Sequence, residues 1–184
     1  MGLADGDHRS LVQLHLGHLV LLATWLLIVV VVYLSGPRKQ RDRRVTRRPA
    51  PARGPWLLAA AGATLASGVI HLVVIREHFA ESLLYGYFFL VLTAAQAGWA
   101  AWVVARPQRA LLLGGAAASL AVVVLWLATR TVGIPLGPAA GEKEAFGPLD
   151  IAASALELAT AACACAAVYA SRRSARAVAA LGIG

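Results

Sequence analysis

Residues 110–128 have the sequence ALLLGGAAASLAVVVLWLA, a run without a single charged side chain. A helix needs about 20 predominantly apolar residues to cross a hydrocarbon core about 30 Å thick. The chain contains four more runs of similar length and composition. All are continuously apolar, whereas the strands of a membrane barrel alternate apolar and polar residues. The sequence therefore predicts a single all-α membrane domain, 1–184, of about five transmembrane helices, at approximately 11–34, 56–75, 83–105, 110–128 and 149–170.

The overall composition agrees with a protein embedded in lipid. Of the 184 residues, 59% are hydrophobic and only 14% are charged, whereas soluble domains usually carry about 25% charged residues. The net charge of +8 would suggest nucleic acid in a soluble protein. Here the basic residues lie between apolar runs, as membrane anchors do. We therefore expect a lipid bilayer as the partner, and no nucleic acid.

The basic residues also indicate an orientation. They concentrate in loop 35–55, in the connection between the third and fourth spans, and in the C-terminal tail. With five spans, all three segments fall on one side, which the positive-inside rule makes cytoplasmic. We predict a bacterial plasma-membrane protein with its N-terminus outside the cytoplasm and its C-terminus inside. Loop 35–55 is either a topology signal or a surface for anionic lipid, and the outer loop 129–148 is predicted to form a rigid cap.

Ionisable groups are distributed unevenly across this predicted topology. All five histidines and every acidic residue except Asp42 map to the outer half. Such groups cost about 2.5–3.5 kcal/mol each inside a bilayer and normally face the bundle interior. Asp150 and Glu157 lie seven residues apart, on one face of the last span. We therefore expect an outward-opening polar cavity formed by His15, His18, His71, His78, Glu81, Arg130, Asp150 and Glu157.

A transition-metal site is the sharpest functional hypothesis. Neutral imidazoles bind Cu, Zn and Fe, and a carboxylate can complete the ligand set. Glu81 follows His78 by three residues, so it lies within helical reach of that imidazole. The predicted metal ligands are His15, His18, His71, His78 and Glu81. The structural alternative is that these histidines cap helices and form hydrogen bonds between spans.

Three other functions stay open. Chains of Asp, Glu and His relay protons in membranes, but the inner half offers almost no ionisable residue to complete a transport path. Catalysis would need a pair such as His78 with Glu81, and no established catalytic motif is present, so we expect binding rather than an enzyme. The third function is that of a scaffold subunit. A helical membrane partner or a second copy would then pack on the small-residue runs 114–118 and 159–167. Cys163 and Cys165 are predicted to be packing residues, because side chains two apart diverge on a helix.

Three segments carry a resemblance to a known group of proteins. They are HLVVIREHFAESLLYGYFF at 71–89, LWLATRTVGIPLGP at 125–138 and GPLDIAASALELA at 147–159. This part of the chain, which touches four of the five spans, resembles small actinobacterial multi-pass membrane proteins of uncharacterised function. The resemblance implies a multi-pass membrane protein with His, Glu and Arg at its outer face, and it implies no activity.

Overall fold

The structure, a computed structural model, describes residues 54–133, 135, 137 and 140–180. These residues form four α-helices and no β-strand: α1 (Pro55–Glu81), α2 (Leu83–Ala105), α3 (Arg109–Thr131) and α4 (Pro148–Ala180). They correspond to the second to fifth predicted spans. The predicted first span, 11–34, with His15 and His18, and nearly all of basic loop 35–55 lie outside the described residues.

All four described helices are long and apolar enough to cross a membrane. Their surface agrees with that environment. Leu158 is 49% exposed, whereas its neighbour Glu157 is only 1% exposed. Val73 on α1 and Val124 on α3 are also exposed, at 67% and 65%. An apolar outer surface around a buried carboxylate suits lipid and would be unfavourable in water. The prediction of an all-α fold, with helices long and apolar enough to cross a membrane, is therefore confirmed for the described part of the chain.

The helices extend beyond the predicted limits of the spans. α1 continues past Ile75 to Glu81 because nothing in that stretch interrupts its hydrogen bonding. Ser82 then takes an extended conformation, with φ −163°, and its Oγ accepts a hydrogen bond of 3.2 Å from the backbone N–H of Leu84. This cap starts α2 immediately after α1. α4 has 33 residues, which correspond to about 50 Å and exceed the thickness of the hydrocarbon core.

Helix packing leaves a seam on one side of the bundle. α1 packs against both α2 and α4, α3 packs against α4, and α2 barely touches α3.

We call the end that contains Arg106, Arg109 and Arg172 the basic end, and the end that contains His78 and Arg130 the site end. α1 and α3 run from the basic end to the site end, and α2 and α4 run back.

Small apolar side chains fill the bundle at the basic end. Leu57, Leu112 and Ala164 are completely buried there, within a cluster that draws on all four helices. α2 and α3 meet at this end through Trp99, whose indole N–H donates a 2.9 Å hydrogen bond to the carbonyl oxygen of Leu111. The interior at the basic end is therefore closed by tight packing, which small residues permit between membrane helices.

The connection between α3 and α4, which is the predicted outer loop, lies across the site end in its described residues. Gly133, Gly137 and Gly141 have φ values of +77°, +74° and +83°, so all three make turns that other residues adopt only with strain. A Cβ atom at Gly137 would collide with the ring and hydroxyl of Tyr85 on α2. The backbone N–H of Glu144 donates a 3.2 Å hydrogen bond to the carbonyl oxygen of Thr129. The loop is thereby attached to α3 and packs against the end of α2.

Candidate ligand-binding cavity

A cavity of about 120 Å³ lies inside the bundle at the site end and is lined by all four helices. The six described residues that the sequence assigns to a polar cavity all line it: His71, His78, Glu81, Arg130, Asp150 and Glu157. They differ in depth, because Glu157 is 1% exposed whereas the side chain of Glu81 is 58% exposed. The cavity therefore runs from an open, charged mouth to a buried carboxylate.

Glu157 is the centre of a polar network that joins the four helices. The Ser67 hydroxyl on α1 donates a hydrogen bond of 2.7 Å to Oε1 of Glu157. The Gln96 side-chain amide on α2 donates to the same oxygen, and the Ser119 hydroxyl on α3 also bonds this carboxylate. All of these partners are electrically neutral. Among the described residues, the Glu157 carboxylate thus has hydrogen-bond donors but no cation bonded to it.

Gln96 links this network to His71 and fixes the orientation of both side chains. Its amide nitrogen faces acceptors, Glu157 and the Ser67 Oγ at 3.5 Å. Its amide oxygen therefore faces His71 Nδ1, at 3.2 Å. Because an amide oxygen can only accept, Nδ1 carries the proton and donates. The second ring nitrogen, Nε2, is then an acceptor on an imidazole that lines the cavity. The close approach depends on Gly68, where a Cβ atom would lie 3.2 Å from the Gln96 oxygen.

His78 lies nearer the mouth. Its Nδ1 is 3.4 Å from Oε2 of Glu81, one turn further along α1. Its ring stacks on Phe89 of α2, with the ring centroids 4.0 Å apart and the planes 4° from parallel. Phe89 also contacts the His71 ring, at a centroid distance of 5.3 Å. One aromatic side chain therefore holds both imidazoles along the same wall of the cavity.

Arg130 belongs to the wall of the cavity that α3 contributes. Its guanidinium donates to Asp150 at 2.6 Å, to the Thr129 hydroxyl at 2.7 Å, and to Glu144. Asp150 also accepts a 3.2 Å hydrogen bond from the backbone N–H of Gly147, which caps the start of α4. Arg130 thus connects α3, the outer loop and α4. Its side chain is only 8% exposed, although Asp150 and Glu144 are 36% and 45% exposed.

Two buried donors in this wall have no partner in the described part of the chain. They are Nε of Arg130 and the indole N–H of Trp126, both of which belong to residues that line the cavity. The Trp126 ring packs edge-on against Phe146 of the outer loop, at a centroid distance of 5.6 Å. Buried N–H groups are almost always hydrogen-bonded in native proteins. A bound molecule with an acceptor atom would satisfy them after a small shift of the two side chains, because neither nitrogen is accessible from the cavity as it stands.

The described residues do not by themselves form a metal centre. Within 54–133, 135, 137 and 140–180, no group of three or more His, Cys, Asp or Glu side chains could hold a metal ion. A transition-metal site would need His15 or His18, which lie outside these ranges. Both cysteines are free thiols. Cys163 is half-buried and packs against the apolar cluster at the basic end, in agreement with its predicted packing role, whereas the same prediction is wrong for Cys165, which is exposed on the surface of α4.

The cavity closes below Glu157. Thr160, one turn further along α4, is completely buried, but its hydroxyl donates to the Leu156 carbonyl oxygen of its own helix, at 2.9 Å. Beyond it lies the apolar cluster of the basic end, which includes Ala161 and Ala164. No chain of polar side chains crosses this cluster in the described helices.

The described residues form a bundle of four helices, each long and apolar enough to cross a membrane, with a cavity at one end that apolar, aromatic and charged side chains line. Comparison with protein-family models, curated proteins and solved structures gives no match for this chain. The resemblance to small actinobacterial membrane proteins therefore stays a prediction, based on the motifs at 71–89, 125–138 and 147–159.

Several residues that bond Glu157 or line the cavity were not predicted as site residues. Ser119 is the only hydroxyl-bearing residue in 110–128, and Gln96 is the only amide in 83–105. A polar side chain that is the only one of its kind in an apolar span is the signal that could have identified both as partners of Glu157. Trp126 gave no such signal, since tryptophan near a span end ordinarily indicates an interface anchor.

Proposed function

We propose that this chain is a five-span plasma-membrane protein that binds a small molecule from the extracytoplasmic side, in the cavity between His71 and Glu157. One observation carries the proposal: the cavity, which apolar side chains line together with a few charged ones, has its charged mouth at the site end and ends above the apolar cluster at the basic end. Binding needs access from one side only. Transport needs access from both.

The positive-inside rule supports the direction in which the cavity faces. The connection between α2 and α3 contributes Arg106 and Arg109 to the basic end, and the end of α4 contributes Arg172, Arg173 and Arg176. These residues flank transmembrane helices closely, where they affect orientation most. The basic end is thus assigned to the cytoplasm and the site end to the outside.

A scaffold without a ligand is supported less well. The ion pairs of Arg130 and the network of Glu157 could hold helices together without binding anything. That alternative gives no role to the unpartnered buried N–H groups of Arg130 and Trp126, or to the space between them and His71. A receptor or sensor that recognises a small polar molecule accounts for all three features.

A binding screen with two matched variants tests this function. Ala153 lines the cavity and is 6% exposed, whereas Ala155, two residues later on α4, faces outward. The Ala153→Leu variant should fill the cavity, and Ala155→Leu adds the same atoms to the lipid-facing surface. The purified proteins would be placed in lipid nanodiscs, and their melting temperatures measured with amines, carboxylates, sugars and divalent transition metals.

At least one class of compound should raise the melting temperature of the parent and of Ala155→Leu, and leave Ala153→Leu unchanged. A ligand that stabilises Ala153→Leu as much as the parent binds elsewhere, and that result would contradict the proposal. A panel without any stabilising compound would also count against it and would favour a scaffold.

A further inference from the structure

The charges and hydrogen-bonding groups of the cavity point to one class of ligand. Building on the binding function above, we propose that the cavity binds a small organic molecule that carries a protonated amine and, a few atoms away, an oxygen acceptor. The amine would lie between Glu157 and His71, and the oxygen would face Arg130 and Trp126.

Glu157 has no counter-charge among the residues that the structure describes. Its bonded neighbours Ser67, Gln96 and Ser119 are neutral, and the carboxylate is 1% exposed. In a low-dielectric interior a carboxyl group keeps its proton unless a cation pairs with it, so Glu157 would become an anion only together with a bound cation. An ammonium group would supply both the positive charge and N–H donors. His71 Nε2, an acceptor on the same side of the cavity, would take a further N–H.

The mouth of the cavity carries more negative than positive charge, which favours a cationic ligand. Three carboxylates line it, those of Glu81, Glu144 and Asp150, and the one permanent cation among the described lining residues is Arg130. The excess of negative charge raises the local concentration of cations and repels anions. Phe88 and Trp126 add aromatic lining, which also attracts ammonium groups when they lie over a ring face.

The unpartnered donors and the volume of the cavity indicate that the ligand carries an oxygen acceptor and is small. The unpartnered N–H groups of Trp126 and Arg130 need an acceptor, which a simple alkylammonium ion does not have. The volume of about 120 Å³ sets the scale. Since a cavity of about 150 Å³ holds benzene, about five or six non-hydrogen atoms fit here. Amino alcohols and amino carbonyl compounds meet all of these conditions.

Three probes with the same number of non-hydrogen atoms separate the contribution of the amine to binding from the contribution of the oxygen. They are 3-amino-1-propanol, butylamine without the oxygen, and 1-butanol without the amine. Binding would be measured by calorimetry on the full chain in nanodiscs of uncharged lipid, so that amines do not accumulate at the bilayer surface. Glu157→Gln removes the charge and keeps the shape. Glu142→Gln makes the same change at an exposed loop residue outside the cavity lining.

We expect 3-amino-1-propanol to bind most tightly and 1-butanol at least about tenfold more weakly, since a charge-assisted pair is worth more than a factor of ten. Glu157→Gln should weaken 3-amino-1-propanol by about tenfold or more, and Glu142→Gln should leave it unchanged. Trp126→Phe should weaken 3-amino-1-propanol while it leaves butylamine unaffected. This variant keeps an aromatic ring and therefore serves if Glu157→Gln does not fold.

Equal binding of 3-amino-1-propanol and 1-butanol would overturn the inference, as would amine binding unaffected by Glu157→Gln. Binding of Na⁺ or K⁺ that depends on Glu157 and excludes the amines would also overturn it. If carboxylates or sugars stabilise the parent and not Ala153→Leu, the amine assignment fails and the binding function stands. If no compound does so, both fail.

Discussion

Ser67 on α1 donates a 2.7 Å hydrogen bond to Glu157 on α4, between positions 90 residues apart in the sequence. Both side chains are almost fully buried, at 0% and 1% exposure. The bond ties the second predicted span to the last one at the depth where the polar cavity ends and the apolar cluster begins. The same carboxylate thus contributes to helix packing and forms the floor of the proposed ligand site.

Removal of the Glu157 side chain should destabilise the bundle. Glu157→Ala leaves the Gln96 amide and the hydroxyls of Ser67 and Ser119 without their acceptor in a buried site, and each unpaired group costs about 1–3 kcal/mol. Glu157→Gln should cost much less, because its amide oxygen can still accept the hydrogen bonds of Ser67 and Gln96. Reversible unfolding in mixed micelles measures the difference, with Glu142→Ala as the exposed control. Equal stability of Glu157→Ala and Glu142→Ala would show that the network is not structural.

Arg130→Gln should loosen the attachment of the outer loop. The guanidinium is buried but its carboxylate partners Asp150 and Glu144 are partly solvated. We therefore expect a loss of about 1–2 kcal/mol, between the values for exposed and buried ion pairs. Proteolysis within 132–147 should become faster. Arg76→Gln, an exposed residue at the same end, is the control.

A double-mutant cycle with Asp150→Asn isolates the pair. The combined Arg130→Gln/Asp150→Asn variant should lose less stability than the sum of the single variants, by about 0.5–3 kcal/mol. Strict additivity would mean that the 2.6 Å contact contributes nothing to stability.

Gly115→Ala should separate α2 from α3 at the basic end. A Cβ atom at Gly115 would overlap the indole ring of Trp99, which the hydrogen bond to Leu111 holds in place. Overpacking of this kind costs about 1–3 kcal/mol. Gly98→Ala is the matched control, since no neighbouring atom lies within 4 Å of its Cβ position. It should be neutral or stabilising by about 0.5–1 kcal/mol. A similar loss in both variants would contradict the close packing of Trp99.

A comparison of two loop glycines separates the stability cost of backbone strain from the cost of a steric collision. Gly133 and Gly141 both have positive φ values, +77° and +83°. Alanine at Gly141 meets no atom within 4 Å, whereas at Gly133 its Cβ would lie 2.6 Å from the Gly141 carbonyl oxygen. Gly141→Ala should cost about 1–2 kcal/mol for the left-handed conformation alone. Gly133→Ala should cost clearly more, and thermal unfolding of the two variants side by side checks this order.

The helices were predictable because their formation depends on local composition. Residues 110–128 lack charge and do not alternate apolar with polar residues, so a helix rather than a barrel strand is the way in which they satisfy the backbone in lipid. The shared burial of Ser67 and His71 was also predictable, because residues four apart lie on the same face of a helix. Helix limits were less predictable, because charged residues such as Arg76 and Glu77 are tolerated at a membrane surface and do not end a helix.

The partners across the bundle could not be predicted, because they depend on which helices are neighbours. Ser119 faces Glu157 only because α3 packs beside α4, which hydropathy does not determine. Arg130 had several acidic candidates on the site side, and the path of the outer loop selects Glu144 and Asp150. The unpartnered N–H of Trp126 is likewise a property of the assembled cavity.

The central claim, a cavity open to the outside and closed to the cytoplasm, is tested most directly by thiol accessibility. Ala153→Cys would be introduced into a chain with both native cysteines replaced, and treated with a small membrane-impermeant methanethiosulfonate. Ser174→Cys, exposed on the last turns of α4, marks the opposite side. We predict that intact cells modify Ala153→Cys and spare Ser174→Cys, and that inside-out vesicles give the reverse. Modification of Ala153→Cys from the cytoplasmic side, or from both sides equally, would contradict the account.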